Sequence, residues 1–252
     1  MKKLFFVQLF LCLCVFLVPL TVHGANYRSF YSPTFDENEA RFIFLGASGI
    51  ILNTQKGTIL IDPAMMLDDN DIAQLKKGGL DLILFTHCHG DHYNTAIAEK
   101  LFKATGAPVL AESMVVESLS DKIPGEKLTA GLPGKTYAFG DIEIKVIEGD
   151  HIGPINLYQI MIGGITIFHG GDSAYVSLKD YPSDIAFVPT GAPSPTCSPE
   201  YAFKMASDLK PVVAVPMHGS HVEFEKIIKE KMPGITVIVP TRQVVTRVKL
   251  VR

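Results

Sequence analysis

The chain is 252 residues long, 47% hydrophobic and 19% charged, with 21 Gly and 16 Pro. That balance belongs to a folded globular protein and excludes collagen, coiled coil and intrinsic disorder. The formal charge is -3, without the concentration of basic residues that a polyanion partner needs, so no nucleic acid is expected.

Lys2 and Lys3 precede an apolar run from Leu4 to Leu20, broken by Gln8 and Pro19, and Val22 and Gly24 then lead to Ala25. This is the layout of a secretory signal peptide over residues 1–24, with cleavage expected after Gly24. The run is short for a span of about 20 residues and carries a Pro near its end, which argues against an uncleaved membrane anchor. Bulky residues before Cys12 and Cys14 argue against lipidation. The expected location is therefore exported, periplasmic or extracellular. Loss of the leader takes Lys2 and Lys3 with it, leaves the chain more acidic, and leaves Cys88 and Cys197 as its cysteines. One disulfide is arithmetically possible, and nothing in the pattern demands it.

Residues 25–40 are polar and unperiodic and read as a leader into a domain at 41–252. Short β-branched runs at Arg41–Leu45, Gly49–Thr54 and Thr58–Asp62 read as adjacent antiparallel strands. Asp69–Lys77 has the character of a helix. Leu80–Thr86 is a buried strand by its unbroken apolar character. Asn94–Thr105 has helical spacing, Pro108–Ala111 is a short strand and Ser113–Ser120 a short helix. Thr136–Phe139 and Ile142–Ile147 form a hairpin, and Gly163-Gly164 joins a second one, Asn156–Ile162 to Ile165–His169. A strand follows at Asp184–Pro189. Ser198 caps a helix at Pro199–Leu209, where Pro at the first helical position has no N–H to waste. Val212–Pro216, a helix at Val222–Lys231 and a strand at Ile235–Val239 complete the core. Two groups of strands, each flanked by helices, predict an α/β four-layer αββα sandwich of two mixed sheets.

The chemistry concentrates in Thr86-His87-Cys88-His89-Gly90-Asp91-His92, directly after the buried strand. Crowded imidazoles repel when protonated and leave lone pairs facing each other when neutral. A divalent cation resolves both by accepting the lone pairs. His87 and His89 leave the strand on one side and can share an ion. Asp91 and His92, past Gly90, can address a second. Of the histidines past the leader, His87, His89, His151 and His218 stand where a predicted strand ends or a loop follows, where rigid scaffolds present functional groups.

His87-Cys88-His89-Gly90-Asp91-His92 resembles the H-x-H-x-D-H motif of the metallo-β-lactamase fold superfamily. The later motifs follow in that family's order. Asp150-His151 resembles its third His, His169-Gly170-Gly171-Asp172-Ser173 its segment with a bridging Asp, and Pro216-Met217-His218 its last ligand. Phe44–Gly49 and Ile61-Asp62-Pro63 resemble its opening strands, so the likeness runs from Arg41 to the C-terminus.

The resemblance implies a dinuclear site. One ion would take His87, His89 and His151, the other Asp91, His92 and His218, and Asp172 would bridge them. Such a donor set leaves room for a bridging hydroxide, made acidic by two cations about 3.5–4 Å apart. Zinc is the default for imidazole-rich ligation, with iron or manganese as alternatives. Asp91 is the candidate for passing a proton to the leaving group. His221, just after His218 at a helix start, is a second candidate acid or anion contact.

Other positions carry plainer expectations. Asp62 either orders a ligand His or forms an Asp-Pro turn. Cys88 points away from its neighbours as a small packed group. His169 is a donor behind the ligands or a strand-end residue, and the Gly191–Pro199 loop lines the cleft near Asp172. Two positions depart from the family pattern: Ala47, where many relatives carry His, and Gly219, where an aromatic residue is usual.

The family branch with the most similar motifs contains ascorbate-6-phosphate lactonase and N-acylphosphatidylethanolamine phospholipase D. It implies hydrolysis of an ester-type bond, phosphodiester or lactone, in a small-molecule or lipid substrate. Three alternatives stand beside it. β-Lactam hydrolysis is opposed by Asp172, where the best-known zinc β-lactamases carry Cys. A di-iron redox or oxygen-handling role is opposed by His89, where flavodiiron relatives carry Glu. A non-catalytic metal-binding module is opposed by the complete ligand set.

Overall fold

The computed structural model describes residues 25–250. The expected signal peptide lies outside them. In chain order the elements are α1 (Tyr27–Phe30), β1 (Glu39–Gly46), β2 (Gly49–Thr54), β3 (Gly57–Ile61), α2 (Asp69–Gly78) and β4 (Leu82–Phe85). Next come α3 (Thr95–Thr105), β5 (Val109–Ala111), α4 (Ser113–Leu119), β6 (Leu128–Ala130), β7 (Thr136–Phe139) and β8 (Ile142–Glu148). The last group is β9 (Asn156–Ile162), β10 (Ile165–His169), β11 (Ile185–Pro189), α5 (Pro199–Leu209), β12 (Val213–Met217), α6 (His221–Lys231), β13 (Thr236–Val237) and β14 (Val245–Lys249).

The strands form two seven-stranded sheets, ordered β14-β1-β2-β3-β4-β5-β6 and β13-β12-β11-β10-β9-β8-β7. Between the sheets lies an apolar layer that includes Phe42, Leu52, Leu84, Ile144, Ile160 and Phe187. A second layer joins α2, α3 and α4 to the first sheet through Ile72, Leu101 and Val115. A third seats α5 and α6 on the second sheet through Met205, Leu209 and Phe224. Each fully buried side chain of this size contributes roughly 1.5–3 kcal/mol of transfer free energy. The expected four-layer αββα architecture is therefore the observed one.

Strand direction places the site. β3, β4, β5 and β6 run parallel, as do β10, β11, β12 and β13. β8 reaches the same direction through antiparallel β9. Their C-terminal ends therefore emerge at one edge of the sandwich. Ligands of open α/β sheets bind at such an edge.

Several expectations are corrected. Residues 25–40, read as a polar leader into the domain, pack onto it: Tyr27 and Phe30 are buried, and Tyr27 donates a 3.0 Å hydrogen bond to Asp71 of α2. Arg41, fully buried, ties this segment down. It pairs with Glu39 at 2.6 Å, donates to the carbonyls of Ser29, Phe30 and Ser32 and to that of Thr34. The strand expected at Ile235–Val239 contracts to β13, and β6 and β14 were not anticipated. Cys88 and Cys197 are both free thiols, so the possible disulfide is not formed. No helix among the described residues is long and apolar enough to cross a membrane.

Candidate metal centre

β4 is buried along its whole length, and the chain turns at its end to present His87, His89, Asp91 and His92. The other contributions come from residues just past β8, β10 and β12. Two sets of ligand atoms form, within 4.8 Å of one another in each set: His87, His89, His151 and Asp172, and Asp91, His92 and His218. All seven expected ligands thus converge from four separate stretches of chain. Asp172 stands between the sets. Its Oδ1 is 3.5 Å from His87 Nε2 and 3.4 Å from His151 Nε2. Its Oδ2 is 3.6 Å from His92 Nε2, which in turn lies 3.7 Å from Asp91.

Buried polar atoms without a partner mark the centre of this arrangement. They include His87 Nε2, His92 Nε2, Asp172 Oδ1 and both ring nitrogens of His218. An unpaired buried polar atom costs about 1–3 kcal/mol, and a cation accepting these lone pairs removes that cost. The donors fit metal binding through imidazole and carboxylate groups.

A layer of contacts behind the ligands orients them. Asp62 accepts a 2.8 Å hydrogen bond from His92 Nδ1, and the Thr86 backbone and hydroxyl both donate to it. Thr86 Oγ1 also lies 3.0 Å from His87 Nδ1. His151 Nδ1 meets Thr196 Oγ1 at 2.8 Å. Such contacts fix the ring orientation of metal-binding histidines. Asp62 is therefore a positioning residue as well as the start of the Asp-Pro turn. The Gly191–Pro199 loop does line the site: Ser194, Thr196 and Cys197 all donate to the Asp172 carbonyl. His169 closes β10 and donates from Nε2 to the Ser48 carbonyl at 2.9 Å, while Ser48 donates to Gly171. Cys88 packs into the helical layer, away from the ligands.

Protonation follows the surroundings. Burial, with repulsion from His92, lowers His87 to about 3, and burial lowers His218 to about 4. His92 goes the other way: burial opposes its charge, but Asp172 and Asp62 outweigh it and raise the pKa to about 10. Burial likewise opposes the charge of Asp172, and the facing imidazoles hold it well below the carboxylate range.

His221 is the predicted residue that the structure leaves outside both ligand sets. It opens α6, its Nε2 is enclosed without a partner, and burial lowers its pKa against the pull of the His218 backbone. The two departures from the family pattern have local explanations. The Ala47 carbonyl accepts the His218 backbone N–H at 3.2 Å, so backbone there supports the last ligand. A Cβ at Gly219 would lie 2.8 Å from the Ala192 carbonyl, so only glycine lets this turn close. Thr86, Ser48, Ser194 and Thr196 escaped the sequence reading, because single hydroxyl residues carry no spacing pattern. Thr86 alone had a pointer, its place directly before the histidine motif. Beside the cluster, a cavity of about 250 Å³ is walled by His151, Glu112, Leu132, Glu148 and Asp150, among others.

Two facing mixed sheets with a His/Asp cluster at one edge define a metal-dependent hydrolase of the metallo-β-lactamase fold. The chain matches the model of the beta-lactamase superfamily domain over residues 41–218, and it belongs to that family. It is 30% identical over 209 residues to a UPF0173 metal-dependent hydrolase of Thermoplasma acidophilum, covering 77% of this chain and 90% of the relative. A second UPF0173 metal-dependent hydrolase, from Thermus thermophilus, is 33% identical over 190 residues, covering 69% and 81%. In fold, the chain is similar to Igni18, a metallo hydrolase of Ignicoccus hospitalis: TM-score 0.71, 21% identity, 84% of this chain and 99% of that one.

Proposed function

We propose that the protein is a dinuclear hydrolase that cleaves an ester-type bond, phosphodiester or lactone, in a small-molecule or lipid substrate. The observation that carries this reading is the division of Asp172, one carboxylate oxygen toward each ligand set. His87, His89 and His151 would hold one ion, and Asp91, His92 and His218 the other, with zinc favoured by the imidazole-rich set. Bound there, two divalent cations supply a water acidic enough to attack near neutral pH and positive charge for the oxygen that turns negative.

The remaining work falls to the chain's own groups. Asp62 and Thr196 hold the His92 and His151 rings in place. The Asp91 side chain is 41% exposed, which leaves it open to the cleft and able to pass a proton to a leaving group. His221, at the start of α6 three residues past His218, is the second group placed to donate a proton or to contact an anionic oxygen of the substrate. Export rests on the Lys-then-apolar pattern of residues 1–24.

The test is a panel of phosphodiesters, lactones, β-lactams and phospholipids with metal-loaded protein. Hydrolysis of an ester or lactone is expected, lost with a chelator and reduced by about 100-fold or more in Asp172→Ala. Metal analysis should find two ions per wild-type chain. A single ion, or turnover of β-lactams alone, would overturn the assignment.

A further inference from the structure

His169 is fully buried and belongs to neither ligand set. Its two ring nitrogens have different neighbours, and these fix the position of its proton. The Gly171 N–H donates to Nδ1 at 3.3 Å, so Nδ1 carries no hydrogen. Nε2 faces the Ser48 carbonyl at 2.9 Å, which can only accept, so Nε2 carries the hydrogen. The Ser48 hydroxyl in turn donates to the Gly171 carbonyl at 2.8 Å. Three hydrogen bonds thus close a ring through His169, Ser48 and Gly171.

Asp172 follows this ring directly. Its carboxylate oxygens lie 3.5 Å from His87 and 3.6 Å from His92, so it meets both ligand sets. At such a point a misplacement of about 0.5 Å matters. The chain reaches Asp172 through two adjacent glycines, Gly170 and Gly171, the second at φ +56°. Glycine adopts this turn readily, but it has no side chain to anchor it. The turn also passes close to the histidine motif, where a Cβ at Gly171 would lie 3.3 Å from that of Thr86. Beyond the turn, the 191–199 loop holds the Asp172 carbonyl. Ahead of Asp172, the tie is the ring through His169.

Ser48 gives that ring its reach. It lies in the turn between β1 and β2 of the first sheet, whereas His169 ends β10 of the second. The neighbouring Ala47 carbonyl holds the His218 N–H, and a Cβ at Gly49 would lie 3.0 Å from the Asp62 carbonyl. One turn of the first sheet therefore touches the residue that orients His92 and both ligand-bearing turns of the second sheet, those of Asp172 and His218.

We propose that His169 is the positioning residue of Asp172, clamping its glycine turn to Ser48 so that a carboxylate of the second sheet meets the histidines of the first at fixed distance. That the clamped carboxylate serves hydrolysis rests on the hydrolase reading above. The clamp itself is read from metal binding.

The test is zinc affinity, measured by competition with a chromophoric chelator. His169→Asn keeps an acceptor beside the Gly171 N–H but is too short to reach the Ser48 carbonyl, and Ser48→Ala removes the hydroxyl. Each variant should bind zinc about 10-fold or more weakly than wild type. Because both changes open one ring, the double variant should lose little beyond either single one. Val248→Ala truncates a buried side chain of β14, at the far edge of the sheet. It should lower the Tm and leave zinc affinity unchanged. Nitrogen NMR of the metal-free protein should show a neutral His169 ring protonated at Nε2. Four outcomes overturn the proposal: zinc affinity within about twofold of wild type in both single variants, losses that multiply in the double variant, an equal loss in Val248→Ala, or a His169 proton on Nδ1. Should His169→Asn not fold, Ser48→Ala alone decides the affinity comparison. Failure of the hydrolase panel with the affinity losses intact would remove the catalytic reading and leave the clamp standing.

Discussion

His92 is the residue on which the charge balance of the cluster turns. Asp62 lies 2.8 Å from its Nδ1 and Asp172 3.6 Å from its Nε2, so a carboxylate faces each nitrogen. Burial opposes the imidazolium, yet the two carboxylates raise its pKa to about 10. Without metal, the ring is therefore protonated at neutral pH. A cation takes only the neutral form, so it must displace that proton. His87 and His218, lowered to about 3 and about 4, are already neutral and have none to give. Metal uptake at pH 7.5 should thus release about one proton from the ligand set. Calorimetry in buffers of different ionisation enthalpy reads this directly. Asp62→Asn, which removes one of the two carboxylates, should reduce the release. A heat independent of the buffer would contradict the account.

At the scale of elements, the loops are ordered by a few internal ties. The Asp172 turn hangs from the 191–199 loop through its carbonyl, and the His218 turn closes on Ala192, where Gly219 donates at 2.6 Å. The N-terminal segment depends on Arg41 in the same way. This side chain is wholly buried and faces the Phe35 ring at 3.7 Å. Its removal would take the Glu39 carboxylate, 6% exposed, from its nearest cation, leaving it the Asp36 N–H at 2.9 Å and Arg247 at 4.0 Å, and would leave several carbonyls of residues 29–34 without their donor. Breaking one partner of a buried pair costs about 3–5 kcal/mol. Arg41→Ala should therefore lower unfolding free energy in urea by that order, and proteolysis should then begin within residues 25–38. A loss under about 1 kcal/mol would mean that the segment is held by Tyr27 and Phe30 packing alone. The polar look of residues 25–40 hid this role. An Arg reads as a surface residue until the carbonyls that surround it are known.

Across the whole molecule, what could be read from the sequence follows from how much local signal each part carries. Leu82–Phe85 is apolar without a break, Gly163-Gly164 makes a tight turn, and Ser198-Pro199 starts a helix, and all three stand where expected. β14 (VTRVK) has Val248 alone of its residues buried and is held by antiparallel pairing to β1. That long-range partner leaves no local trace. The ligands were legible because their spacing is dense, and the hydroxyl groups behind them were not. The same cluster also sets how the metal-free fold responds to pH. His87 and His218 have folded pKa values of about 3 and about 4, against an ordinary value of about 6.5. Below that ordinary value the unfolded chain binds more protons, so their contribution is full above about 6.5 and fades as pH falls through their folded values. His169, wholly enclosed, is lowered in the same direction by burial. His92 has the opposite sign: its folded pKa of about 10 gives a contribution full below about 6.5 and lost as pH rises through about 10. The two limbs meet near the ordinary imidazole value. The Tm of metal-free protein should therefore peak near pH 6.5 and fall on both sides, more steeply toward acid, where two strongly shifted histidines act instead of one. Asp62→Asn, which removes one of the two carboxylates that raise His92, should flatten the alkaline limb. A Tm that rises steadily from pH 5 to pH 9 would show that the histidines are not enclosed together as described.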